Sequence, residues 1–235
     1  MGRIPTQAFP GSARNSDGTE LLHALQCMWF DPSLARGVLA YWLPRKRTRR
    51  IAEQDAQPGK ILHETRAVRW PSWARFRSSV TTAASTQHRF HHARRCSTYT
   101  RTGDRAFVES IWPNVERALA WIDHYGDVDG DGFVEHILAS RNSVSSIKVG
   151  RTLTMRFSTP TARLPKDLIA LCEVQGYVYA AKVAAAKLAK LFGDDAKARD
   201  LSKQAKTLFR RFEESFWCDE LSTYALALDG RKQAL

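Results

Sequence analysis

The stretch Ile169–Asp194, IALCEVQGYVYAAKVAAAKLAKLFGD, decides the fold. Its apolar and alanine-rich spacing predicts one long helix over Leu168–Phe192, stopped by Gly193. Asp194 and Asp195 then open a second helix that runs to about Phe216. Leu201, Ala205, Leu208 and Phe212 recur at helical spacing and predict its buried stripe.

The same signals recur upstream. Leu21–Phe30 is apolar and helical in pattern. Asp31-Pro32 supplies an N-cap and a first-turn proline for a helix over Ser33 to about Leu43. Arg105–Trp112 starts another helix. Pro113 breaks or restarts it, and Val115, Leu119 and Ile122 continue an apolar face to about Tyr125. Thr223–Leu228 reads as a short strand or extended segment. Helix follows helix without β-α alternation, so the expected fold class is all-α.

Composition bounds the rest. The chain has 235 residues, enough for one good-sized domain. No stretch of about 18 apolar residues appears, so no membrane span is expected. Met1–Glu20 has no apolar core of a secretory signal. Cys27, Cys96, Cys172 and Cys218 are far apart and form no CxxC pair. Free thiols in a cytoplasmic protein are the expectation.

The net charge of +12 would ordinarily suggest nucleic acid or an anionic surface. Its placement argues otherwise. Ala40–Ala106 holds 15 Lys and Arg against 4 Asp and Glu, and Ala139–Leu168 holds 6 against 1. Elsewhere there are 15 basic and 19 acidic residues, a net of −4. Arg66–Thr98, RAVRWPSWARFRSSVTTAASTQHRFHHARRCST, contains no Gly, Leu, Ile, Asp, Glu or Lys, and its apolar residues follow neither helical nor strand period.

Several blocks together resemble the bacterial amylo-α-1,6-glucosidase, or glycogen-debranching, family of glycoside hydrolases. They are LQCMWFDPSLARGVLAY (Leu25–Tyr41), PGKILHE (Pro58–Glu64), IWPNVERALAWIDHYGDVDGDGFVEH (Ile111–His136), Ile169–Asp194, and FWCDELSTYALALDG (Phe216–Gly230). They span most of the chain. The resemblance implies an (α/α)6 barrel with a sugar cleft at one end and hydrolysis of α-glucosidic links by two carboxylic acids. It implies a glucan or oligosaccharide as the partner of intact relatives and no required cofactor. Twelve barrel helices need on the order of 300 residues or more. The expectation is therefore a partial (α/α)6 toroid over residues 1–235, with the family's downstream carboxylate absent.

The family's chemical strings are also missing. After HE such proteins run through a segment like YYGSVDSTPLF. Later they carry NQGWKDS, whose Asp resembles the general acid. Neither is printed here, and the odd windows sit at those two places. Val80–Phe90, VTTAASTQHRF, has an encoding whose third-base frame spells YYGSVDSTPL. Ser146–Leu153, SIKVGRTL, has one whose third-base frame spells NQGWKDS. The synonymous bases leave the first base of each recovered codon partly free, while the printed residues set most of the others. Trp42–Arg49 hides a LAATQAHE-like helix end in the same way. Residues 40–57, 66–99 and 139–168 are thus expected to be out of frame and irregular, and their arginines need no anion to explain them. No printed residue is assigned as catalytic.

Four positions carry the resemblance to the sugar cleft. His63 and Glu64 match the family's HE, which lines it, although a hydrogen-bonded pair at a helix start is the plainer reading. Glu173 and Gln175 are polar within a run otherwise apolar enough to be buried, where polar groups need partners. Their segment faces the cleft in the family. Asp127, Asp129, Asp131 and Glu135, in DVDGDGFVE, have the spacing of an EF-hand calcium loop with Gly132 at its sharp turn. Position 12 is Leu138 where a bidentate Glu belongs. Two readings stand: a calcium site, or an acidic turn whose aspartates cap backbone amides.

An inactive glycosidase remnant is the leading expectation. An active enzyme would need new roles for Glu64 and Glu173. A basic module for nucleic acid or an anionic surface, carried by Arg45–Arg50 and Arg66–Arg95, would bind with steep salt dependence. It ranks last because the frame shift already explains the arginines.

Overall fold

The computed structural model describes residues 14–16, 27–42, 64–66, 99, 101–137, 146–149, 153–156 and 168–235. Most described residues are helical. The framework is α1 (Pro32–Trp42), α2 (Arg105–Trp121), α3 (Cys172–Leu191) and α4 (Asp195–Phe216). The mostly helical make-up agrees with the all-α expectation, and small antiparallel sheets accompany the helices. β3 (Glu135–Ile137), β6 (Leu168–Leu171) and β9 (Ala227–Asp229) form one sheet with β6 in the middle. Three strand pairs accompany it: β1 (Arg14–Ser16) with β2 (Glu64–Arg66), β4 (Ser146–Val149) with β5 (Leu153–Arg156), and β7 (Trp217–Cys218) with β8 (Thr223–Tyr224).

The helix ends follow local chemistry. Asp31 Oδ1 accepts from the Ser33 amide at 2.9 Å just before α1. Asp104 caps α2 through the Phe107 amide, and Asp194 caps α4 through the Lys197 amide, each at 2.9 Å. Gly193 has φ +86°, the left-handed geometry that only glycine adopts without strain. The Asp194 amide returns to Ala189 O at 2.9 Å and the Gly193 amide to Lys190 O at 3.1 Å. That bond pair closes α3 and turns the chain directly into α4.

The α3–α4 hairpin is the centre of the core. Val174, Val178, Ala181 and Ala185 form the buried stripe of α3 and Leu201, Ala205 and Leu208 that of α4. The alanines let the two backbones approach closely. Burying each Val or Leu contributes about 1.5–3 kcal/mol. Phe216 ends α4 fully buried, stacked on Phe212 at 4.7 Å and edge-on to Phe133 at 5.3 Å. A second cluster joins Leu39 of α1 to Phe107, Val108 and Ile111 of α2 and Leu188 of α3. Arg36 braces it from outside, its guanidinium 2.9 Å from Asp104 and 5.0 Å from the Phe107 ring centroid.

Three differences from the expected elements have physical causes. Leu168–Leu171 is a strand rather than the start of the long helix. A short apolar run suits either state, and here both edges of the strand find partners in β3 and β9. Pro113 does not break α2. It only removes one donor, and Ile111 and Val115 on either side are both anchored in the core. The helix then loosens into a π-turn over Ile122–Gly126. Within residues 139–168, β4 and β5 pair Ser146 with Arg156 through Val149 with Leu153. Ile147 and Val149, then Leu153 and Met155, alternate with polar residues, which is a strand period. The rest of that window, nearly all of 40–57 and 66–99, the helical expectation over Leu21–Gln26, and Leu138 lie outside the described residues.

Candidate functional site

α3 and α4 are antiparallel, so the start of α3 and the end of α4 share one end of the helix layer. The antiparallel register of the central sheet brings the chain leaving α2 to the same end. Glu135 stands opposite Ala170, and Ala170 opposite Leu228. Segments that are remote in sequence therefore converge there: the acidic turn before β3, the first turn of α3, and the turn after β9.

The acidic turn is built by its own carboxylates. Asp127 accepts from the Gly130 amide at 2.7 Å through Oδ1 and from the Gly132 amide at 2.8 Å through Oδ2. Gly130 (φ +82°) and Gly132 (φ +92°) supply the left-handed backbone this loop needs. A side chain at Gly132 would also run into the Arg211 guanidinium, which donates to the Asp131 carbonyl. Asp129 Oδ1 accepts from the Asp131 amide at 3.3 Å, and Asp131 Oδ1 from the Phe133 amide at 2.8 Å. Glu135 Oε2 accepts from the Val128 amide at 3.2 Å.

The remaining oxygens share one partner that the spacing did not reveal. Lys232 Nζ lies 2.9 Å from Asp129 Oδ2 and 2.6 Å from Asp131 Oδ2, and it donates to Glu135 Oε1. Burial opposes the charge on Lys232, but its three carboxylate partners hold its pKa well above the ordinary lysine value. Burial also works against Asp129, and there Lys232 wins, holding the carboxyl below its usual range. Glu135 goes the other way. Its side chain is 0% exposed, and burial, helped by the charges of Asp129 and Asp131, pushes its carboxyl up against the pull of Lys232.

Asp127, Asp129 and Glu135 each bring a ligand-type oxygen within 4.8 Å of the others, which is the geometry a cation would need. Calcium, however, takes six to eight oxygens at about 2.3–2.6 Å. Five of the eight carboxylate oxygens accept from amides and the other three lie against the Lys232 ammonium, Asp131 Oδ2 by charge alone and without a hydrogen bond. The residues as arranged do not fit a divalent cation unless Lys232 leaves.

The expected sugar-cleft residues separate. Glu173 is exposed on the first turn of α3, and the Tyr177 hydroxyl donates to its Oε1. Gln175 is 1% exposed. Its Oε1 accepts from the Val134 amide at 2.9 Å, while Nε2 donates to Val134 O at 2.8 Å and Leu171 O at 3.1 Å. An amide so engaged holds the loop to the helix rather than a ligand. Glu64 lies in β2 opposite Ser16 of β1. His63 lies outside the described residues. At the end of α4, Tyr224 donates to Glu213 at 2.9 Å and Trp217 Nε1 to Asp219 at 2.8 Å, with the Trp217 and Tyr224 rings edge-on at 5.1 Å.

A cavity of about 320 Å³ opens between the acidic turn, α3 and α4. Lys182 lines it, buried, 2.6 Å from Asp123 Oδ1 and donating to Gln204 Oε1. Its place among alanines on the buried face of α3 was the only sequence signal for it.

A sequence model of the mannosylglycerate hydrolase MGH1-like glycoside hydrolase domain matches residues 15–233, and the chain belongs to that family. The expected glycoside hydrolase class therefore stands at the level of this family. Among solved structures the chain is similar to a GH78 family rhamnosidase of Bacillus sp. GL1, with a TM-score of 0.58 and 15% identity. That likeness covers 94% of this chain and 19% of the rhamnosidase, and it speaks to the fold alone. No curated protein matches. Among the described residues no helix is long and apolar enough to cross a membrane.

Proposed function

We propose that the chain is part of an (α/α)6-type glycosidase domain whose polar end binds an α-glucosidic oligosaccharide, and that this copy does not hydrolyse it. The observation that carries the reading is the family match across residues 15–233 in a chain that does not spell NQGWKDS between Ala139 and Leu168. Glycosidic cleavage by the usual route needs a protonated acid and a second carboxylate roughly 5–10 Å apart across one cleft. The four acids of the turn are poor candidates, because their oxygens bond to backbone amides and Lys232. Glu173, exposed and oriented by Tyr177, is the described residue best placed to accept a sugar hydroxyl, with His63 and Glu64 as its partners by resemblance. The widely spaced cysteines agree with a reducing, cytoplasmic setting; Cys27, Cys172 and Cys218 are free thiols.

The test uses the purified chain with maltooligosaccharides and a branched glucan. Glucose release is measured by a coupled assay and binding by calorimetry. The expectation is binding without release. Release above a protein-free control overturns the inactive reading. A folded chain that binds neither ligand overturns the sugar reading.

A further inference from the structure

We propose that Lys232 is the resident cation of the acidic turn, so that the protein closes this turn with its own ammonium and needs no divalent metal there. The inference is independent of what sugar the domain takes.

Three observations converge on it. First, the oxygens divide cleanly. Five accept from backbone amides of the loop itself, and the other three, one each from Asp129, Asp131 and Glu135, converge on Lys232 Nζ. The ammonium donates to Glu135 Oε1 and pairs by charge with Asp129 Oδ2 and with Asp131 Oδ2, the last of which is buried and takes no hydrogen bond. Second, the turn after β9 is built to present this side chain. Asp229, itself buried, accepts from the Arg231 amide at 2.8 Å and the Gln233 amide at 2.9 Å through Oδ1, and its carbonyl accepts from the Lys232 amide at 2.8 Å. These bonds hold Lys232 at φ +60°, a left-handed backbone that lysine seldom adopts. Third, the sheet fixes the distance. Glu135 and Leu228 both stand opposite Ala170, so the base of the lysine turn is locked to the strand that carries the buried acid.

The consequence is a latch between residues 127–135 and 229–233. A buried carboxylate without a counter-charge is strongly unfavourable, so removing the ammonium leaves the turn dependent on some other cation.

The experiment compares the full chain with K232M and K232R, recording thermal melts in EGTA and in millimolar calcium together with terbium luminescence. For the unmodified chain the expected result is the same Tm in both buffers and no terbium signal. For K232M it is a Tm roughly 5 °C or more lower in EGTA, part of it restored by calcium, with terbium now bound. K232R keeps the charge and is expected to remain insensitive to calcium. A calcium-dependent rise in the Tm of the unmodified chain, or terbium binding to it, overturns the proposal, and this arm holds even if K232M does not fold. An unchanged Tm for K232M overturns it as well.

Discussion

Gln175, in the first turn of α3, clasps both backbone groups of Val134, accepting from its amide at 2.9 Å and donating to its carbonyl at 2.8 Å. One side chain thereby completes the pairing of a loop residue 41 positions away, at the point where the acidic turn passes into β3.

Q175L strands these buried backbone groups and Leu171 O together. Each unsatisfied group costs about 1–3 kcal/mol, so with three groups stranded a loss of roughly 3 kcal/mol or more is expected. The urea midpoint reports it. A variant with unchanged stability but weakened sugar binding would return Gln175 to the cleft.

Glu173 is expected to behave in the opposite way. It is exposed, so E173Q should leave stability within about 0.5 kcal/mol of the original. If it accepts a sugar hydroxyl, the lost charged hydrogen bond weakens oligosaccharide binding by roughly tenfold or more. Calorimetry alongside a thermal melt separates the two effects.

Tyr224 offers a spectroscopic reading of the polar end. Its hydrogen bond to Glu213 raises its pKa above the ordinary phenol value. The folded value is raised, so this contribution is fully present below the unfolded pKa near 10 and is lost as pH rises through the higher folded value. In an ultraviolet titration one phenol should ionise late, and E213Q should return it to the ordinary range.

Phe216 tests the end of α4. It is fully buried between Phe212 and Phe133. F216A is expected to cost about 3–5 kcal/mol in a denaturant melt. A loss below about 1 kcal/mol would mean that this end of the core is not packed as described.

The DNA beneath residues 40–106 and 139–168 tests the frame reading directly. Its third-base frame should spell YYGSVDSTPL and NQGWKDS. If it spells neither, the arginine-rich windows are selected protein, and the steep salt dependence of a basic binding module becomes the thing to measure.

Much of the framework was legible because it is encoded within a few residues. Asp31, Asp104 and Asp194 cap helices through amides two or three positions on. Gly193 stops α3 by its own backbone freedom, and Leu201, Ala205 and Leu208 share a face because of the helical period. The spacing DVDGDGFVE likewise specified a tight acidic loop, since its glycines and carboxylates act on their own neighbours. What lay beyond reach depends on distant partners. Leu168–Leu171 became a strand because β3 and β9 flank it, and Pro113 stayed helical because the core holds both its neighbours. Gln175 turned inward to Val134. Lys232 and Glu135 are 97 positions apart, so no local spacing could show that the charge closing the acidic turn is a lysine. Local periodicity and capping determined the helices and the loop; only the packing of the sheet against the helix layer decided which charges meet, because a buried carboxylate takes whichever cation the tertiary fold delivers to it.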